Sequence, residues 1–135
     1  MGRTLVFDSS ALIAVLEEEP GGAEAGALLA DRGNECVVHA VNVVEVYYDM
    51  LRRGGRPRAQ RALRALHALG LTRDRRMNAH FVKQVATLKS ARKVSLADCF
   101  CIALTVSVKG EMITADRHEM AAIAADGVCR VRFIR

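Results

Sequence analysis

The sequence predicts an α/β fold of three layers, α/β/α, around a mostly parallel five-stranded sheet. Three observations predict it. Short apolar segments of strand length alternate with longer segments of helical period, each strand is separated from the next by helix, and Gly or Pro clusters punctuate the junctions. Strands joined through helices return by right-handed crossovers and pair parallel, with helices covering both faces of the sheet.

Thr4 to Phe7 reads as a short buried strand. Ser10 to Glu19 follows as a helix with Leu12, Ile13 and Leu16 on one side, stopped by Pro20-Gly21-Gly22. Ala23 to Ala30, rich in Ala and Leu, reads as a second helix, and Cys36 to His39 as the second strand. Asn42 to Arg53 carries Val43, Val44, Val46, Tyr47, Met50 and Leu51 on a broad helical face and ends at Gly54-Gly55. Adjacent β-branched valines permit a local strand there, but the length and the double-Gly stop favour helix.

Pro57 suits the first position of the next helix, whose stripe is Ala62, Leu63, Leu66 and Leu69, with Arg58, Arg61 and Arg64 opposite and Gly70 as its stop. Leu71 to Arg73 reads as a third strand, and Asn78 to Ser90 as a helix with Phe81, Val82, Val85 and Leu88 inward. Leu96 to Val108 is an apolar helix expected at the centre, Glu111 to Thr114 a fourth strand, Arg117 to Ala124 a short helix, and Val128 to Phe133 an alternating fifth strand.

The 135 residues contain no repeat, linker or low-complexity segment, so residues 1–135 read as one domain. Hydrophobic residues make up 51% of the chain, yet no stretch approaches the roughly 18 unbroken apolar residues of a membrane helix. MGRTLVFDSS fits a first strand and lacks the apolar region of a signal peptide, which leads to the expectation of a cytoplasmic protein. Cys36, Cys99, Cys101 and Cys129 form no CxxC pair and have no partnering His spacing, so buried reduced thiols are expected rather than zinc or disulfides.

The net charge of +5 is unevenly spread. Between Leu51 and Lys93 thirteen Lys or Arg residues face one acid, Asp74, which makes that segment +12 and the remainder −7. A basic block of this kind favours a polyanion such as nucleic acid, although a solvated helix face explains it as well. With aromatic residues at 4% and no Trp, base-stacking platforms are poorly supplied.

Four acids occupy comparable places. Asp8 follows the first strand, Glu45 lies in the first turn of the helix after the second, Asp98 in the first turn of the apolar helix, and Asp116 after the fourth strand. In a parallel sheet these points lie along one edge, where such folds place ligands. Helix capping competes with this reading, because Asn42-x-x-Glu45, Ser95-x-x-Asp98 and Asp116-x-x-Glu119 all match the capping box. Capping accounts for acids at helix starts, but not for four of them on one sheet edge.

Converging carboxylates repel and are costly to desolvate unless a cation joins them. Oxygen donors without His or Cys suit Mg²⁺ or Mn²⁺ rather than zinc. The matching chemistry is phosphodiester hydrolysis, in which a metal-activated water attacks in line.

These segments resemble the PIN-domain ribonucleases, and among them the VapC-like toxins of bacterial toxin–antitoxin pairs. The resemblance rests on VFDSSALIAVL with Asp8, NVVEVYYDMLRRG with Glu45, SLADCFCIALTV with Asp98 and MITADRHEM with Asp116, in that order, across nearly the whole chain. It implies a five-stranded parallel sheet between helices, Mg²⁺- or Mn²⁺-dependent endoribonuclease activity on RNA, a homodimer, and inhibition by a small cognate VapB-like antitoxin. It further implies that Asp8 and Asp98 hold the metal directly, that Glu45 does so directly or through water, and that Asp116 completes the quartet. Ser9, Ser10 and Thr114 would then steady ligands or waters by hydrogen bonds.

The chain departs from the family where many relatives carry another Asp two residues after Asp116. It has His118 there, which favours one metal ion over two, although the following Glu119 is placed to restore the lost charge; His118 itself reads as an exposed loop residue, with contact to phosphate as the alternative. His39, His67 and His80 read as structural or solvent-facing. Arg52, Arg53, Arg56, Arg58, Arg61 and Arg64 begin at the end of the Glu45 helix and are candidates to guide RNA to the site, with a solvated face or an antitoxin-docking surface as alternatives. A receiver domain would need a paired acid at the first strand and a Lys after the last, and a haloacid-dehalogenase-type phosphatase would need Asp-x-Asp where Asp8-Ser9-Ser10 stands. The remaining competitor is a catalytically inert PIN-fold module that binds nucleic acid or protein.

Overall fold

The computed structural model describes residues 2–135. The elements run β1 (Arg3–Phe7), α1 (Ser9–Leu16), α2 (Gly22–Ala30), β2 (Asn34–His39), α3 (Ala40–Ala68), β3 (Thr72–Asp74), α4 (Ala79–Ala91), α5 (Leu96–Ser107), β4 (Glu111–Thr114), α6 (Arg117–Ala125) and β5 (Arg130–Phe133). The sheet order is β3-β2-β1-β4-β5, and every pair is parallel. The expected five strands and the three-layer α/β/α arrangement are present.

The period of two along the strands divides the core into two halves. Leu5, Phe7, Val38 and Ile113 project to one side with α1, α2 and α3, while Val6, Val37 and Met112 project to the other with Phe81 of α4, the buried face of α5, and Met120 and Ile123 of α6. Residues Cys99 to Thr105 are all buried, so α5 is the central helix its composition predicts.

Several boundaries differ from those the sequence predicts. The helix α1 stops at Leu16 rather than Glu19. The helix α3 starts at Ala40, two residues earlier than expected, because His39 caps it: Nδ1 accepts from Val41 N–H at 3.0 Å, which leaves Nε2–H to donate to the Arg76 carbonyl at 3.1 Å. The ring is buried and stacks on Phe81, so its role is structural. Gly54 and Gly55 depart from helical geometry within α3, and the φ of 74° at Gly55 is a backbone state that glycine adopts without cost. The double-Gly break stands where it was expected.

Val44, Leu51 and Val82, expected to face inward, are exposed; Val44 is 66% accessible. A helix lying on a sheet buries one stripe, and in α3 that stripe is Val43, Val46 and Met50, which leaves Val44 turned one step out. Cys36, Cys99 and Cys101 are buried free thiols, while Cys129 is half-buried. No helix among the described residues is long and apolar enough to cross a membrane.

The chain leaves β1 toward β2 on one side and places β4 on the other, so the strand order reverses between β1 and β4. The crevice at the carboxyl ends of two such strands is where open α/β sheets bind ligands. Asp8 and Thr114 stand on its two sides.

Candidate active site

Asp8 is 1% exposed and sits at the end of β1 with extended backbone (φ −84°, ψ 173°), so its carboxylate curls over the open first turn of α1. Its Oδ1 accepts from the Ala11 N–H at 2.9 Å and from Ser10 Oγ–H at 2.7 Å, and its Oδ2 accepts from Thr114 Oγ1–H at 2.5 Å. The two hydroxyls are themselves oriented by backbone. Ser10 Oγ accepts from Ala115 N–H at 2.9 Å, and Thr114 Oγ1 from Asp116 N–H at 3.0 Å. Asp8 is therefore both the cap of α1 and a carboxylate held across the crevice from β4.

Glu45 reaches in from α3, and Ser9 Oγ–H donates to its Oε1. Asp98, half-buried in the first turn of α5, comes from the opposite helical layer; its N–H donates to Ser95 Oγ at 3.1 Å. Asp116 caps α6, its Oδ1 accepting from Glu119 N–H at 3.0 Å. Three of the acids thus fulfil or neighbour capping roles, yet they lie together at the same sheet edge.

The electrostatics show that they share one field. Burial raises Asp98 from the ordinary carboxylate value to about 7, opposed by its bond to Ser95 and reinforced by the charges of Asp8, Glu45 and Asp116. Burial likewise raises Asp8 to about 6, against the lowering effect of Thr114, Ala11 and Ser10, with Glu45 adding to the rise. None of the four forms an ion pair with a Lys, Arg or His among the described residues. Mutual repulsion without a compensating cation is an unfavourable arrangement in a protein interior.

The donor chemistry fits a hard divalent cation, since it is oxygen only and anionic. As the side chains stand, they do not close round a point. No group of three or more His, Cys, Asp or Glu among the described residues lies close enough to hold an ion. Each carboxylate is instead turned toward a hydroxyl or N–H donor.

One expected capping box is absent, and a different hydrogen bond takes its place. The Asn42-x-x-Glu45 box does not form, because α3 begins at Ala40 and places Asn42 in its first turn and Glu45 beyond it. Asn42 is fully buried, and its Nδ2–H donates at 3.2 Å to the carbonyl of Ala97, the residue before Asp98. Its Oδ1 has no hydrogen-bond partner among the described residues. Asn42 therefore braces the Glu45 helix against the Asp98 helix. The only sequence signal for this is a polar residue inside the apolar run VNVVEV.

The arginine block divides in two. Arg52 pairs with Asp49, Arg53 with Asp49, Glu19 and Glu17, and Arg58 with Glu17. Arg56, Arg61 and Arg64 are exposed and form no such pair among the described residues. Arg52 and Arg53 line a cleft that includes Ser9, Ser10 and Glu45, while His118 and Glu119 line a separate one with Arg92 and Lys93.

Comparison with known proteins bears on this arrangement. The PIN domain model matches residues 5–126. The fold is similar to that of VapC20 from Mycobacterium tuberculosis, a sarcin–ricin-loop-cleaving toxin, with a TM-score of 0.70 and 16% identity over 87% of this chain and 94% of that one. It is also similar to VapBC2 from Rickettsia felis bound to a promoter DNA fragment (TM-score 0.73, 10% identity, 96% and 98% covered). A third similar structure is VapBC-5 from Mycobacterium tuberculosis, of the VapBC family of toxin–antitoxin systems (TM-score 0.61, 21% identity, 98% of both chains). Among curated protein sequences, none matches the chain.

Proposed function

The chain belongs to the PIN-domain family, and from that premise we propose that it is a Mg²⁺- or Mn²⁺-dependent endoribonuclease, the toxin of a VapBC-type toxin–antitoxin pair. The observation that carries the reading is that Asp8, Glu45, Asp98 and Asp116 come from separate elements to the sheet edge at the strand-order reversal, and that none of the four pairs with a Lys, Arg or His among the described residues.

Asp8 and Asp98 would hold the ion directly, Glu45 would hold it directly or through water, and Asp116 would complete the acidic wall. A bound divalent ion supplies charge compensation and lowers the pKa of a water for attack on a phosphodiester. The protein's own groups do the positioning. Thr114 and Ser10 fix the plane of the Asp8 carboxylate, Ser9 orients Glu45, and Asn42 keeps the two helices that bear Glu45 and Asp98 in register. Hydrogen-bonded partners of metal ligands raise affinity by orienting them, and the acids, which do not close round a point as they stand, would turn toward the ion from these held positions.

RNA is the substrate class favoured by the similarity to VapC20 and by the exposed Arg56, Arg61 and Arg64. A small VapB-like antitoxin and a second copy of the chain are the protein partners, the former supported by the VapBC complexes that share the fold, and the action is cytoplasmic.

The test is cleavage of a mixed RNA by the purified chain. EDTA should stop it, and Mg²⁺ or Mn²⁺ should restore it. Cleavage that persists in rigorously metal-free buffer overturns the mechanism; no cleavage under any cation leaves the inert PIN-fold binding module as the better account.

A further inference from the structure

We propose that Tyr48 is a base-stacking residue, seating one nucleotide of single-stranded RNA beside the acidic site; this deepens the ribonuclease reading and rests on it. The chain has six Phe and Tyr residues and no Trp. Phe7, Phe81 and Phe100 are buried in the core, Tyr47 is half-buried, and Phe133 lies half-buried beneath the Arg117 guanidinium, 4.4 Å from its centroid. Tyr48 is the one exposed Phe or Tyr ring among the described residues, at 56% accessibility.

Its position is as informative as its exposure. Tyr48 lies one helical turn beyond Glu45, and positions three apart share a helix face. Both line a single cleft of about 280 Å³ together with Ser9, Ser10, Arg52 and Arg53. The Arg52 guanidinium lies over one face of the Tyr48 ring, 5.2 Å from its centroid, so a base would stack on the other face with the cation across the ring from it.

Charge alone does not make this cleft a polyanion site, because Asp49 and Glu19 already pair with Arg52 and Arg53. A π surface does not depend on net charge, and stacking accepts any base. The neighbouring exposed Val44 and Leu51 make a protein contact the rival occupant. The ring's place in a polar cleft shared with Ser9, Ser10 and Glu45 favours a nucleotide.

The experiment is fluorescence anisotropy in EDTA, with a short labelled single-stranded RNA and a series in which one base at a time is replaced by an abasic site. Tyr48→Ala should weaken binding of the intact RNA by about tenfold, and Tyr48→Phe should bind as the native chain does. One abasic position should abolish the difference between native and Tyr48→Ala. Equal affinities for native and Tyr48→Ala on the intact RNA overturn the proposal, as does an equal effect of Tyr48→Ala at every abasic position. Unchanged RNA binding with a changed mass in solution also overturns it and assigns the ring to a contact between copies. Circular dichroism establishes that both variants fold. Metal-dependent cleavage by the native chain is scored separately, so its failure rejects the ribonuclease reading without deciding what Tyr48 binds.

Discussion

Thr114 donates a 2.5 Å hydrogen bond to Asp8 across the β1–β4 crevice, joining two residues 106 positions apart at the point where the strand order reverses. The Thr114 hydroxyl has one proton and gives it to Asp8, and the Asp116 N–H fills one of its lone pairs. This fixes both the carboxylate and the start of the loop that carries Asp116. Thr114→Val keeps the shape and removes the donor, so cation affinity and cleavage should fall by about 10–100-fold. Thr114→Ser should retain most of both. Titration of Mn²⁺ against cleavage rate distinguishes the two, and equal rates for the Val and Ser variants would remove Thr114 from the site.

Asp8→Asn and Asp98→Asn should each abolish metal-dependent RNA cleavage without unfolding the chain. An amide keeps the bulk, and at Asp8 the capping oxygen, but gives up the charge. A nuclease assay beside a thermal melt checks both halves, and full activity in either variant would reject the proposed ligands.

The same two carboxylates set a pH dependence. Their folded pKa values, about 6 for Asp8 and about 7 for Asp98, lie above the 3.8 of an exposed aspartate. The folded chain therefore holds these protons more tightly than the unfolded one. Their contribution to stability is fully present below about pH 4 and is lost as pH rises through 6 and 7. In EDTA at pH 8, Asp98→Asn should be more stable than the native chain by roughly 1–2 kcal/mol, allowing for solvent screening, and the two should converge near pH 4. Added Mg²⁺ should raise the native melting temperature but not that of the variant. A native stability unaffected by pH between 4 and 8 would show that the acids are not crowded.

Asn42→Ala removes the brace between α3 and α5. The loss of its bond to the Ala97 carbonyl should cost about 1 kcal/mol, partly offset by removal of the unpartnered Oδ1. The larger effect should be on kcat, because Glu45 and Asp98 then lose their shared register. A variant with native kcat and lower stability would reduce Asn42 to a structural residue.

Removing Arg56, Arg61 and Arg64 together should flatten the salt dependence of RNA binding, by roughly 0.7 in slope for each phosphate no longer neutralised. Removing Arg58 instead should chiefly disturb its pairing with Glu17 and lower stability. An unchanged slope in the first variant would mean that these arginines do not touch phosphate.

Much of the fold is legible in the sequence because it depends on periodicity. Strand β4 is predicted to the residue, α5 to its first residue, and the break at Gly54-Gly55 to its position. The departures come from tertiary capping and packing. His39, an imidazole capping α3 through Nδ1, moves the start of that helix and removes the Asn42 capping box, and the one-sided packing of α3 on the sheet turns Val44 outward. The cap is made two residues away, but the ring that makes it is held by the Arg76 carbonyl and Phe81, and the packing of α3 is set by the sheet, so neither can be read from the local pattern.

The four acids divide in the same way. Sequence by itself determined their identity and their places at the ends of strands and the starts of helices, because those follow from local period and punctuation. It also determined the concentration of arginine that follows Glu45. Only the tertiary structure decided that Asp8 is gripped by Ser10 and Thr114, that Glu45 and Asp98 approach from opposite layers with Asn42 between them, and that half of the arginines are already paired. The physical reason is that hydrogen bonds, desolvation and charge coupling act over a few ångströms in space, between residues that a parallel sheet brings together from far apart in the chain.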